Sequence, residues 1–430
     1  MQMFKQNKYN FSALMLYMTY FLHSIQSIIL SQNADYFAGQ WGTTVSGVLG
    51  VIAWTGVGKI TFLIFSGILS DKFGRKPMIV IGILGYVVLF GTLIFTQSIL
   101  VANILSFIGG ASTSLFDGAC NPAIMEIYPN NKSTASILNK GTISIAGIIY
   151  PLLVGFLAVG NRPQSLGIWI PFVLSVLLLV VFFFIRLPDG DVKKEHNVSA
   201  AEAVKILEQN QRETATSITK VKQPSRAIEG LLLPLFAFTI YSTFYLFQQV
   251  VSIYAADVVQ MSEVASRAVA SYYQAGSFAA VILSSVLMAR GIRDMSLLIV
   301  YPFIAGVAAL TIYLVPTGLT LSIGACVIGF AAAGGALQMG NALFNQFFDQ
   351  NKGRNTSFYY FIMSLGSYIM PLVAGYLRET DFTLVMLLVA IIAFVSFGLM
   401  LFLGTRYKHI FGVSGFSNSL KTKQLKENIA

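Results

Sequence analysis

Runs of about 20 or more apolar residues recur along the chain between short polar breaks, at roughly 12–31, 43–69, 77–96, 98–127, 133–159, 165–187, 228–256, 264–290, 295–314, 318–347, 354–378 and 382–404. A helix rising 1.5 Å per residue needs about 20 such residues to cross the ~30 Å hydrocarbon core of a bilayer. The pattern therefore predicts an all-α membrane protein with twelve transmembrane helices. The first run follows a short Lys-bearing N-terminus. It is too long for the apolar region of a signal peptide and no small-residue cleavage pattern follows it, so it reads as a retained helix. One break is long and polar, "PDGDVKKEHNVSAAEAVKILEQNQRETATSITKVKQPSR". It divides the chain into a bundle of six helices over 1–187, a cytoplasmic linker over 188–227, a second six-helix bundle over 228–404 and a cytoplasmic tail over 405–430. Within the linker, "SAAEAVKILEQ", Ser199 to Gln209, predicts a short amphipathic helix.

Composition agrees. Only 11% of residues are charged, against about 25% in soluble domains. The net charge of +10 could point to a nucleic-acid partner, but the placement of Lys and Arg argues otherwise. Counted from an inside N-terminus, the even-numbered connections hold Lys72, Arg75, Lys76, Lys132, Lys193, Lys194, Arg290, Arg293, Lys352 and Arg354, and the tail holds Arg406, Lys408 and Lys421. The odd connections hold only Arg162, Arg267 and Arg378, near helix ends. This positive-inside bias predicts a plasma-membrane protein with both termini cytoplasmic and excludes a polyanionic partner as the reason for the basicity. Anionic lipid is the secondary partner expected of such basic loops. The two cysteines, Cys120 and Cys326, fall inside predicted spans and read as packing residues, not as a disulfide or metal site.

The two halves resemble each other. At an offset of 220 residues "NNKSTASILNKGTISIAGIIYPLLVGFL" from Asn130 lies over "QNKGRNTSFYYFIMSLGSYIMPLVAGYL" from Gln350. Asn121 then pairs with Asn341, Asn131 with Asn351, Lys132 with Lys352, Pro151 with Pro371 and Gly155 with Gly375. Two pseudo-symmetric six-helix bundles in parallel orientation are a transporter plan, in which solute binds near the midplane between the halves.

The connection between the second and third spans reads "GILSDKFGRKP". Gly67 and Gly74 suit close helix approach and a tight turn, and Asp71 sits at a helix end beside Lys72, Arg75 and Lys76. This stretch resembles the signature of the major facilitator superfamily. The resemblance implies a gate in which the motif latches the cytoplasmic faces of the two halves, with Asp71 and Arg75 as gate residues and Glu126 as a partner for Arg75. The matching loop of the second half, "SVLMARGIRDM", keeps Arg290 and Arg293 but has no Asp at the place of Asp71.

Intramembrane polar residues carry the candidate chemistry. A carboxylate at the centre of a span costs about 2.5–3.5 kcal/mol on insertion scales, so it faces a cavity or a partner. Asp117 is such a residue, and at helical spacing Gly110, Ser114, Asp117 and Asn121 share one face. Similar stripes run along the first span (Thr19, His23, Gln26, Asn33), the seventh (Tyr241, Tyr245, Gln248, Ser252) and the tenth (Gly334, Gln338, Asn341, Asn345). The superfamily resemblance implies that these four helices surround the central cavity. Interhelical hydrogen bonding is the competing role for any single amide. Amides, hydroxyls and tyrosines suit a neutral polyhydroxylated solute.

The stretch "DGACNPAI", Asp117 to Ile124, is similar to the fourth helix of fucose-permease-like sugar–proton symporters, which carry a carboxylate, three small residues and Asn-Pro. The resemblance implies that Asp117 is the proton-coupling residue. Where those permeases have a second carboxylate in the first span, "IQSIILSQ" places Ser27. Two lysines bear on the cargo. Lys59, in "TGVGKITF", lies roughly 18 Å along its helix from Asp71, near the depth of Asp117, and Lys140 lies about 12 Å into the fifth span. They either pair with Asp117 or receive a carboxylate on the solute, which would make it a sugar acid or another small organic anion. His23 is a proton relay or a packing residue. The fifth span, "GIIYPLLVG", has Tyr150 before Pro151, where drug–proton antiporters of the superfamily have Gly-Pro.

A membrane enzyme would need a catalytic or cofactor motif. The chain has no HExxH, no CxxC and no phosphate-cradling loop, and His23, His196 and His409 are scattered. The expectation is a monomeric secondary transporter, not an enzyme, with no cofactor and no metal, moving a small polar solute with a proton. A sugar is the first candidate solute. An organic-anion symporter and a drug–proton antiporter are the alternatives.

Overall fold

A computed structural model describes residues 7–129, 132–159, 163–195, 198–199, 201–203, 221–348 and 352–416. Regular structure among them is helical throughout. The chain forms two compact units, Met1–Thr216 and Ser217–Ala430. Their boundary falls inside the expected linker.

The first unit contains α1 (Asn10–Gln32), α2 (Ala34–Trp41), α3 (Val45–Phe73), α4 (Arg75–Leu93), α5 (Ile99–Ile127), α6 (Lys132–Val159), α7 (Leu166–Phe184) and α8 (Pro188–Glu195). The second contains α9 (Glu229–Asp257), α10 (Glu263–Ala289), α11 (Asp294–Leu314), α12 (Gly318–Ile328), a π-helical turn (Gly329–Ala333), α13 (Ala336–Phe347), α14 (Lys352–Thr380) and α15 (Leu384–Phe411). Each of the twelve expected spans has a helix, or for the tenth a broken helix, at its place. Among the described residues eleven are long and apolar enough to cross a membrane. At the place of the eighth expected span stands α10, 27 residues long.

Local chemistry sets the ends. Thr44 caps α3, its hydroxyl accepting the Gly47 N–H at 3.2 Å. Thr317 and Thr320 form a reciprocal capping box at α12. Gly74, at φ 95°, holds the left-handed turn between α3 and α4 that other residues adopt only under strain. Two bounds differ from expectation. The start of the linker is helical as α8, and α15 runs on to Phe411, because Tyr407 and Phe411 pack their rings at 4.6 Å and continue the buried face. Ser199 and Glu202 make the reciprocal bonds of a capping box at the start of the expected linker helix, while residues 204–209 of that helix lie outside the described residues. Ahead of α1, Lys8 and Tyr9 both bond Asp191 of α8, at 2.9 and 2.8 Å, and this contact holds the Lys8 ammonium above its ordinary pKa.

The tightest packing in the first unit is the crossing of α3 and α5. A Cβ on Gly58 would lie 1.9 Å from the Phe107 carbonyl oxygen, and one on Gly110 would lie 1.9 Å from that of Thr55. Backbones touch here because nothing larger than hydrogen separates them. The second unit repeats the crossing, with Gly276 on the Cys326 carbonyl and Gly329 on the Tyr273 carbonyl, again at 1.9 Å. The shift from first unit to second is 218 residues on one helix (58 to 276, 55 to 273) and 219 on the other (110 to 329, 107 to 326). By Asn121 and Asn341 it is 220. The π turn at Gly329–Ala333 lies between, and a π turn is how a helix accommodates one extra residue. Pro151 and Pro371, which share the 220 offset, both sit inside helices, α6 and α14.

Candidate functional site

In the first unit, polar side chains from five helices converge inside the bundle. His23 Nδ1 on α1 lies 3.1 Å from the Tyr86 hydroxyl of α4 and 3.3 Å from the Thr113 hydroxyl of α5. Tyr86 and Thr113 are themselves 3.1 Å apart, and Gln26 Oε1 stands 3.4 Å from Thr113. One turn further along α5, Asp117 Oδ2 lies 3.8 Å from Lys59 Nζ of α3. Lys140 on α6 is within electrostatic reach of both. Asn121 accepts the Asn139 amide of α6 at 3.1 Å. The Asp117 side chain is 39% accessible to water although it is enclosed by helices, whereas Lys59 is 14% accessible. The Asp117 carboxylate is thus not sealed by side-chain packing.

The polar stripe expected on α5 divides in two. Gly110 belongs to the α3 crossing, and Ser114, fully buried, donates to the Lys59 carbonyl at 2.8 Å. Both are small because the α3 backbone lies against them, which leaves Asp117 and Asn121 as the polar residues of that face. The stripe on α1 divides likewise. Thr19 meets Cys120 at 3.4 Å, and Asn33 donates to the Tyr150 hydroxyl at 3.0 Å, so only His23 and Gln26 join the cluster.

In the second unit, Tyr241 and Tyr245 on α9 stack with ring centroids 5.1 Å apart at 15°, and Gln248 follows one turn on. Asn345 donates to Asn341 Oδ1 at 3.2 Å and to the Thr356 hydroxyl of α14 at 2.7 Å. This pair therefore ties α13 to α14. Gly334 packs on Ala280, where a Cβ would come within 2.0 Å, so it is a contact residue and no part of a polar stripe. Gln338 is exposed on the first turn of α13. The residue aligned with Asp117 is Leu337, so α13 carries no carboxylate at that position.

A second charged cluster surrounds the α3–α4 turn. Arg75 is 2% exposed. Its guanidinium donates to Asp71 at 2.5 Å, to the Ser70 hydroxyl at 2.9 Å, and through Nε and Nη2 to Glu126 at 3.1 and 3.0 Å. Its backbone N–H donates to Asp189 at 2.8 Å. Lys76 caps the end of α7, donating to the carbonyls of Phe183 and Ile185 at 2.9 and 2.8 Å. All of these bonds lie within the first unit. Gly67 departs from expectation: the space its own Cβ would fill is open, and the close approach is made by Gly118 against the backbone of Ser66 and Gly67. In the second unit, the fully buried Glu229 bonds Arg406 at 2.6 Å.

Sequence comparison places these features in a family. The profile of the Major Facilitator Superfamily matches residues 12–346. The chain belongs to the major facilitator superfamily. As a member it is a multi-pass secondary transporter and not an enzyme. It is 31% identical over 396 residues to the inner membrane transport protein YdiN of Escherichia coli (strain K12), a match covering 90% of each chain. It is 29% identical over 425 residues to YdiM of the same organism, covering 99% of each. An uncharacterized transporter of the superfamily, YfkL of Bacillus subtilis (strain 168), is 28% identical over 85% of this chain and 88% of its own. Among solved structures, a D-xylose-proton symporter superposes with a TM-score of 0.72 at 12% identity, covering 91% of this chain and 97% of that one. A POT family transporter in complex with 5-aminolevulinic acid gives 0.70 at 12%, covering 94% and 98%. At that identity the likeness is one of fold.

Three residues of this transporter's cluster escaped the sequence reading. Tyr86 stands in the apolar run "GILGYVVLF", where a buried hydroxyl needs a partner. Thr113 lies one turn before Asp117 on the same face, and Asn139 immediately precedes Lys140. Helical spacing from Asp117 could have found Thr113. Nothing in the sequence linked Tyr86 to His23.

Proposed function

We propose that this transporter is a proton symporter for a small, hydroxyl-bearing polar solute of the sugar class, working by alternating access in the plasma membrane with both termini cytoplasmic. The observation that carries the reading is Asp117: a carboxylate inside the bundle, not sealed by side-chain packing, and 3.8 Å from Lys59. That distance is an ion pair at its outer limit and not a locked hydrogen bond. An ionised Asp117 holds Lys59, whereas a protonated one releases it. Protonation and the availability of a neighbouring donor are therefore linked at one residue, which is what coupling requires. Within the first unit His23, Gln26 and Asn121 offer donors and acceptors for hydroxyl groups, and within the second unit Tyr241, Tyr245, Gln248, Gln338, Asn341 and Asn345 offer donors, acceptors and aromatic faces of the kind a sugar-class solute takes. The Arg75, Asp71 and Glu126 cluster, with Lys76 and the turn at Gly74, serves as the cytoplasmic gate. The similarity to the inner membrane transport proteins YdiN and YdiM supports the plasma-membrane location. Drug–proton antiport loses ground because Tyr150, which precedes Pro151, is fully engaged, its hydroxyl accepting from Asn33 and donating to the Gly167 carbonyl at 3.1 Å. The test is accumulation in proteoliposomes under an imposed pH gradient. A solute that accumulates only down its own gradient, whatever the pH difference, contradicts the proposal.

A further inference from the structure

The intramembrane cluster of the first unit contains two lysines and one carboxylate. Lys59 is matched by Asp117 at 3.8 Å, but among the described residues Lys140 has no carboxylate within ion-pairing distance. Nor is one to spare nearby. Asp71 and Glu126 are held by the Arg75 side chain, Asp189 by the Arg75 backbone N–H and Asp191 by Lys8. A lysine placed inside a bundle only to pack or to steady a fold is normally paired. Next to it, Asn139 is buried and gives its amide N–H to Asn121, while its Oδ1 has no partner. A buried acceptor without a partner, on the turn of α6 that carries an unmatched cation and tied to the α5 face of Asp117 through Asn121, is complementary to a molecule that brings both a negative charge and a hydroxyl.

From this juxtaposition we infer that the solute is a polyhydroxylated monocarboxylate, a sugar acid or a cyclic hydroxy acid, whose carboxylate sits on Lys140 and whose adjacent hydroxyl donates to Asn139. The inference rests on the proposed transport function and specifies its cargo. Its charge logic joins the coupling residue. With Asp117 ionised, the three charges sum to one positive charge. With Asp117 protonated, Lys59 also turns to the solute, and the site is most attractive to an anion when it has taken up the proton. One proton carried with one monoanion moves no net charge, whereas one proton with a neutral sugar moves one.

Three measurements test this. Proteoliposomes with and without the transporter are incubated, under an inward pH gradient, with a defined mixture of neutral sugars and polyols, sugar acids and hydroxy acids, and the matching amides, and the contents are identified by mass spectrometry. Accumulated species that are monocarboxylates, excluded as amides, support the inference. Accumulation of neutral sugars or amides overturns it and leaves the transport function standing, while no accumulation of any member overturns the transport function and the inference with it. For the accumulated acid, uptake that does not change when a potassium–valinomycin potential is imposed is expected, and uptake that rises with an inside-negative potential overturns the charge balance. Lys140→Gln should weaken the acid's apparent affinity by about tenfold to a hundredfold, the effect of losing one charge-assisted bond, with recovery in Lys140→Arg. Folding of both variants is followed by size-exclusion profile. A well-folded Lys140→Gln with unchanged affinity overturns the assignment of the carboxylate to Lys140.

Discussion

Glu126→Gln is the most informative perturbation of the charged cluster at the α3–α4 turn. It keeps the shape of the side chain and removes its charge from beside a guanidinium that is 2% exposed. Both side chains of the Arg75–Glu126 pair are 2% exposed, and Glu126 receives two N–H groups, at 3.1 and 3.0 Å. Removing one member of such a buried pair costs about 3–5 kcal/mol. The Asp71 carboxylate, 2.5 Å from Nη1 but half exposed, stays in place and offsets part of that loss, so the net cost should be about 2–4 kcal/mol. For a unit of this size each kcal/mol moves the unfolding midpoint by about 2–4 °C. Thermal unfolding of the purified protein in detergent, read by intrinsic fluorescence, should therefore show a fall of about 5–15 °C. Adding Asp71→Asn should cost more in the Glu126→Gln background than in the wild type, because each carboxylate covers for the other on one guanidinium. A shift below about 2 °C, or strict additivity, would mean that Arg75 does not depend on Glu126 and that the cluster is a loosely solvated charge group.

Three further outcomes follow from the packing. Gly110→Val and Gly329→Val should both abolish a monodisperse size-exclusion profile, because each Cβ would meet a backbone carbonyl at 1.9 Å; a folded variant at either position would show that the crossing is not shared by the two units. Gly67→Ala should be tolerated and Gly118→Ala should not, since the Cβ of Gly67 would meet open space and that of Gly118 the Ser66 backbone at 2.7 Å; equal expression and stability of the two would contradict this. Tyr150→Phe removes the hydroxyl between Asn33 and the Gly167 carbonyl and should lower stability by about 1–3 kcal/mol by leaving buried groups unmatched, measured by the same unfolding assay.

Hydropathy was a good guide to the helices because a bilayer requires the same thing of every span: length, apolarity and a closed backbone. Depth was legible for the same reason. A helix is rigid enough that counting twelve residues from Asp71 put Lys59 level with Asp117, and the two are paired. Glu126 as the partner of Arg75 came from the superfamily resemblance, and the two side chains are bonded. Side-chain direction was not. Gly110 and Ser114 share a face with Asp117 in helical projection, but small residues are chosen both to line cavities and to let backbones touch, and the α3 crossing decides between these uses. The repeat was found at one offset only, since a one-residue π insertion in the Gly- and Ala-rich stretch "GFAAAGG" changes the register without changing composition. The contact of His23 with Tyr86 depends on how α1 and α4 pack, which no pattern within either helix encodes.

Coupling of a proton to solute movement is the role proposed for Asp117. It is tested most directly by comparing wild type and Asp117→Asn in proteoliposomes, measuring solute counterflow and pH-driven accumulation on the same preparation. Asp117→Asn is expected to keep exchange of solute across the membrane, which needs no net proton movement, and to lose accumulation against a gradient. Uphill accumulation retained in Asp117→Asn under a pH gradient would contradict it.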